Sequence, residues 1–107
     1  MIKNFKIITL CGSTKFKEQF INEQKRLTLE GNIVISLGIF EHSGDSEVWA
    51  EGVKNVLDEM HKRKIDLDDE IFVINVNGYI GHSTKGEIEY AINNNKKVNY
   101  LEPITHS

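Results

Sequence analysis

The chain has 107 residues, 39% of them hydrophobic and 27% charged, with a net charge of −3. That suffices for one domain with a real core but not for separate catalytic and binding domains, so any chemistry has to share one sheet. Acidic and basic residues are interspersed, which argues against a nucleic-acid backbone as the main partner, and no apolar run approaches the ~18 residues needed to span a membrane.

Met1-Ile2-Lys3-Asn4 leads straight into a strand without the apolar core of a signal peptide. The single cysteine, Cys11, rules out an internal disulfide. Both features agree with a reducing cytoplasm.

Phe5 to Cys11 (FKIITLC) is dominated by Ile7, Ile8 and Leu10 and reads as a strand running into a tight turn at Gly12-Ser13-Thr14. Apolar residues then recur at Phe16, Phe20, Ile21, Leu27 and Leu29 among charged neighbours, predicting an amphipathic helix stopped by Gly31-Asn32. Ile33 to Leu37 (IVISL) follows as a second strand. This β-α-β order implies a right-handed crossover and a parallel, doubly wound sheet. Gly38 to Ser46 has neither a helical nor a strand period and follows the carboxyl end of that strand. From Glu47 to about Lys64 a second long helix is expected, with Val48, Val53, Val56, Leu57 and Met60 toward the core.

Ile71 to Val76 is a near-continuous apolar run broken only by Asn75, the pattern of a parallel strand covered on both faces. Asn77-Gly78-Tyr79-Ile80-Gly81-His82 then supplies turn residues, and a last helix is expected over about Lys85 to Asn94. Ser83 or Thr84 can cap it, and Thr84 to Glu87 has T-x-x-E capping-box spacing. Lys97 to Leu101 makes a fourth strand before Pro103. The expected fold is a three-layer α/β domain with a doubly wound parallel sheet of about four strands, spanning residues 1–107.

In open parallel sheets ligands bind outside the carboxyl ends of the strands, which here means the turns after residues 11 and 76. In Gly12-Ser13-Thr14-Lys15 the glycine lets the backbone approach an anion, the following N–H groups point at it, and the polar side chains add donors. The same residues also make a plain helix start. The turn is neither the dinucleotide G-x-G-x-x-G nor the phosphate-loop pattern, which disfavours a dehydrogenase or an ATPase. Glu87 has two readings as well: a first-turn carboxylate favoured by the helix dipole, or a nucleophile or base at the sheet rim. Glu87 and Glu89 are two apart, so only one can address the cleft. His61 and His82 lack H-x-x-x-H or C-x-x-C spacing, so no metal is expected, and no cofactor is implied.

Taken together, the strand ending C-G-S-x-x-F, the strand D-E-I-F-V-I-N, the helix G-E-I-E-Y-A and the final K-K-V-x-Y-L resemble the nucleoside 2-deoxyribosyltransferase superfamily. That superfamily includes the 2′-deoxynucleoside 5′-monophosphate N-glycosidases. The resemblance covers most of the chain and implies a flavodoxin-like, Rossmann-like sheet. It also implies N-glycosidic bond cleavage or deoxyribosyl transfer through a covalent glycosyl-glutamate intermediate. Glu87, four residues before Ala91, matches the family nucleophile, and Gly12-Ser13-Thr14-Lys15 matches its phosphate turn, with lysine replacing arginine. The family aspartate eight residues before the aspartate that opens the central strand, here Asp69, is replaced by His61, and the tyrosine near the end of the first strand by Thr9.

The implied catalytic set is Glu87, His61 and Asp69, with Asp66 or Asp68 as alternative acids. Gly78, Gly81 and Ser83 are expected to add ligand donors, and Phe40, Glu41 or His42 to meet the base. The implied partner is a small nucleoside or nucleotide, bound by a homodimer or homotetramer. The competing class is a non-catalytic nucleotide-binding module that senses or sequesters the ligand in the same cleft. An electron-transfer flavoprotein fits the fold but lacks an aromatic flavin sandwich, since Trp49 is alone.

Overall fold

The computed structural model of the chain describes residues 5–36 and 53–104. Four strands, β1 (Ile7–Gly12), β2 (Ile33–Ser36), β3 (Glu70–Ile74) and β4 (Lys97–Tyr100), form one all-parallel sheet in the order β2-β1-β3-β4. Helix α1 (Lys17–Leu29) follows a short 3-10 turn, α2 (Val53–Leu67) precedes β3, and α3 (His82–Asn93) joins β3 to β4. The result is the expected three-layer, doubly wound α/β architecture.

Strand alternation assigns the layers. Ile8 and Leu10 of β1 pack with Ile74 of β3 against Phe20 and Leu27 of α1. Cys11, Ile71 and Val73 pack on the other face against Ile65 of α2 and Ala91 of α3. Because both faces are covered, β3 is apolar at successive positions instead of every second one. Leu10, Ile71, Val73 and Ile74 are fully buried, each worth roughly 1.5–3 kcal/mol of transfer free energy.

Several boundaries differ from the sequence reading, each for a local reason. The central strand ends at Ile74 because buried Asn75 turns out of extended geometry. Its amide donates to the Glu102 carbonyl at 2.9 Å and accepts the Glu102 N–H at 2.8 Å. Helix α3 starts at His82, with Gly81 as its N-cap and the Lys85 N–H closing the first turn on the Gly81 carbonyl. The Thr84–Glu87 capping box therefore does not form. Thr84 is buried at the third helical position, and Glu87 falls in the second turn.

Helix α2 also differs. Its start at Glu47, together with Val48, lies outside the described residues, and it runs on to Leu67. Its inward stripe is Leu57, His61 and Ile65, four residues apart, whereas Val56 and Met60 are exposed. On α1, Phe20 and Leu27 are buried but Ile21 and Leu29 face solvent.

The two central strands stay paired to their last residues, where Gly12 lies opposite Ile74. A Cβ on Gly12 would come within 2.9 Å of the Ile74 carbonyl oxygen and 3.0 Å of the Ile74 Cβ, and the Gly12 φ of +152° disfavours any L side chain. Glycine is thus required here by packing, before any ligand is considered. Gly12→Ala is expected to destabilise the fold by roughly 1–3 kcal/mol. A denaturant midpoint equal to that of the unsubstituted chain would show that the strand ends can spread at no cost.

Candidate functional site

The sheet order puts β1 between β2 and β3, so the chain leaves β1 toward one face and β3 toward the other. Helix α1 covers the first face and α3 the second. This is a topological switch point, and the crevice between the diverging loops is the standard ligand position in such sheets. Paired Gly12 and Ile74 form its floor.

Glu87 and His61 meet beside this crevice. His61 comes from the buried stripe of α2 and Glu87 from the second turn of α3, and His61 Nδ1 lies 3.4 Å from Glu87 Oε2. Their side chains are only 7% and 16% exposed. That separation is within ion-pair range but long for a good hydrogen bond. The Glu87 carboxylate also reaches the end of β1 electrostatically: burial, then the Glu87 and Asp68 charges, push the Cys11 thiol well above its ordinary value. Cys11 is therefore no thiolate nucleophile.

A cleft of about 510 Å3 opens between α2 and α3, lined by His61, His82, Ser83, Gly86, Glu87 and Tyr90 among others. Gly86 has open space where a Cβ would stand, so the helix is bare beside Glu87. Glycine inside a helix costs about 1 kcal/mol relative to alanine, and here it leaves room in the cleft. Glu89 borders the cleft too but is exposed. Helix-dipole stabilisation fades beyond the first turn, so capping does not account for a sheltered carboxylate at Glu87.

The other expected site residues separate into three groups. Ser83 lines the cleft with Glu87, and Gly81 lies at the N-cap of the same helix. Ser13, Thr14 and Lys15 follow Gly12 at the rim but do not line that cleft among the described residues. The Ser13 hydroxyl accepts the Lys15 N–H at 3.3 Å, so it serves as a local cap. Lys15 Nζ lies 3.5 Å above the centre of the Tyr79 ring. Gly78 has a φ of +78° and turns the β3–α3 loop. Phe40, Glu41 and His42 lie outside the described residues, as does Trp49.

Asp69 is a correction. It sits at the amino edge of β3, opposite the rim, where its carboxylate accepts the Ile7 N–H at 2.8 Å and joins β1 to β3. A five-residue strand separates it from the crevice, so its role in this fold is structural. Asp66 accepts the Tyr90 hydroxyl proton at 2.7 Å, and that hydroxyl in turn accepts from Arg63 Nη2 at 3.2 Å. The Tyr90 network at the cleft wall and the Asn75–Glu102 anchor under the rim were both missed by sequence reading. An asparagine interrupting an apolar strand was the one available signal for the second.

Asp68 is a buried carboxyl without a hydrogen-bond partner among the described residues. Its carboxyl is fully buried, with Lys96 Nζ 4.0 Å from Oδ1. That ammonium is committed instead to the Asp68 and Asp66 carbonyl oxygens, at 2.6 and 3.2 Å. Burial pushes the Asp68 carboxyl up to about 6, only partly offset by the Thr9 hydroxyl beside it and by Lys96. The Thr9 hydroxyl faces the carboxyl without reaching good hydrogen-bond geometry, since neither group has a satisfied partner among the described residues.

Among the described residues no helix is long and apolar enough to cross a membrane, and no group of three His, Cys, Asp or Glu could hold a metal ion. No protein-family model and no curated protein matches the chain.

Asp68 predicts a specific pH dependence. An acid whose pKa is higher folded than unfolded keeps its proton longer in the fold, so stability is full below pH ~4 and falls as pH rises toward 6. The loss is on the order of 2–3 kcal/mol. Asp68→Asn should therefore be the more stable protein at pH 7.5 and should flatten the melting temperature between pH 4 and 6.5. An unchanged slope across that window would remove Asp68 as its cause.

Proposed function

We propose that the chain binds a nucleoside or nucleotide in the switch-point crevice and cleaves or transfers its N-glycosidic bond, with Glu87 as nucleophile. The observation that carries this reading is the contact of His61 with Glu87. Two chemistry-bearing residues 26 positions apart, on different helices, meet in a sheltered cleft beside the carboxyl ends of the central strands. Glu87 matches the nucleophile of the nucleoside 2-deoxyribosyltransferase superfamily, and His61 stands where that family has an aspartate.

In this mechanism a Glu87 oxygen attacks the anomeric carbon of the sugar as the carbon–nitrogen bond to the base breaks. The bonding electrons leave with the base, which takes up a proton. The sugar remains as an ester on Glu87 until water, or a second base, attacks the same carbon and releases the carboxylate. His61 holds the carboxylate in position and brings a proton-bearing ring within 3.4 Å of it. An imidazole can give up or take a proton at a ring nitrogen, which suits the position that an aspartate holds in the family. The Gly12–Lys15 turn carries the 5′-phosphate, and Ser83 brings a hydroxyl to the same cleft as the nucleophile.

Glu87→Gln keeps size and polarity but removes the attacking charge. Base release from a panel of nucleosides and 5′-monophosphates, followed by chromatography, is expected to fall at least ~10²-fold with little change in thermal stability. Glu89→Gln should behave like the parent protein. Undiminished base release by Glu87→Gln contradicts the mechanism, whereas ligand binding by the parent protein without any release assigns it to the sensing or sequestering class.

Assembly belongs to the same proposal. Helix α2, which forms one wall of the cleft, presents Val56 and Met60 outward, one turn apart. A two-fold dimer through α2 covers these side chains and shelters the cleft from water. Light scattering at micromolar concentration is expected to report a dimer or larger species, and a monomer of 12.3 kDa contradicts this arrangement.

A further inference from the structure

The loops leaving Gly12 and Ile74 are joined above the crevice by side chains with no part in the chemistry proposed for Glu87. Lys15 Nζ lies 3.5 Å from the centre of the Tyr79 ring and 5.5 Å from that of Phe16. The two rings meet edge to face, 5.9 Å apart at 79°. A cation within about 6 Å of a ring centre is held by the ring quadrupole, so the Lys15 contact is a close one.

The Tyr79 ring is itself fixed from three directions. Asn77 and Gly78, with φ of 55° and 78°, reverse the chain so that Tyr79 returns toward β1. The carboxylate of Glu102 accepts the Asn77 N–H at 3.0 Å and anchors that reversal to the segment after β4. Gly81 leaves room for the hydroxyl end of the ring, which lies 3.4 Å from where a Cβ on that residue would stand. These three contacts fix a half-exposed tyrosine beside one lysine.

We propose that Tyr79 is a positioning residue for Lys15, fixing its ammonium above the crevice so that it engages a phosphate group of the ligand. The proposal rests on the reading of the crevice as a nucleotide site. A lysine ammonium carries three N–H donors, and a ring against one side leaves donors for an anion on the other. A free lysine side chain loses rotamer freedom when it clamps a phosphate, and an ammonium already held on a ring loses less. Phe16 and Tyr79 thereby recover part of the preorganisation that the fork of an arginine at this position would bring.

The test uses the full chain with inorganic phosphate as the probe, and chloride at matched ionic strength as the control. The reporter is the NMR signal of the Lys15 ε-methylene, assigned through Lys15→Ala. The expected result is a saturable shift for the parent protein and none for chloride. Tyr79→Leu should weaken phosphate binding about two- to fivefold, part of the ordering cost of one immobilised lysine side chain. Tyr79→Phe, which keeps the ring, should restore parental affinity. Equal or tighter binding by Tyr79→Leu overturns the proposal, as does the absence of a saturable shift in the parent protein. Base release distinguishes the two readings: phosphate binding tuned by Tyr79 without base release removes the glycosidase, and base release with phosphate affinity indifferent to Tyr79 removes only the positioning role.

Discussion

The close approach of β1 to β3 at their carboxyl ends is the constraint on which the rest of the molecule depends. Only a residue without a Cβ fits against the Ile74 carbonyl, so Gly12 and Ile74 remain paired and their loops leave the sheet as neighbours. Because α1 and α3 then cover opposite faces, those neighbouring loops diverge and a crevice opens between them. Displacing either strand end would separate Lys15 from Tyr79 at the rim and shift α3, which carries Glu87.

The two faces of the sheet have different chemistry. The α1 face has an apolar core of Ile8, Leu10, Phe20, Leu27 and Ile74, which supplies stability through apolar burial. The face under α2 and α3 combines an apolar cluster with buried His61, Asp68 and Thr9 and half-buried Glu87. Buried polar groups without good partners cost stability, and on this face the cost is concentrated in Asp68.

The layers and the parallel, doubly wound sheet were legible in the sequence, because continuous apolar runs mark strands buried on both faces and glycine marks the turns. It misled where two physical signals coincide. Thr84-x-x-Glu87 has capping-box spacing, yet the helix begins three residues earlier than Lys85 because Gly81 takes the cap without a side chain. On α2 the hydrophobic pattern favoured Val56 and Met60, while the true inward stripe passes through a histidine that no apolar period can reveal. His61 enters the catalytic set only through the resemblance, and its burial against Glu87 depends on tertiary packing that one sequence does not carry. Asp69 was placed in the catalytic set by its position in a motif, but the parallel register puts it at the far edge of the sheet.

The central claim is that Glu87 becomes covalently attached to the sugar. Protein incubated with mixed 2′-deoxynucleosides and their 5′-monophosphates, quenched in acid and digested, can be read peptide by peptide in a mass spectrometer. The account predicts a deoxyribosyl or deoxyribosyl-phosphate addition on the peptide containing Glu87, localised to that side chain by fragmentation. An unmodified Glu87 peptide, whether or not base has been released, contradicts it.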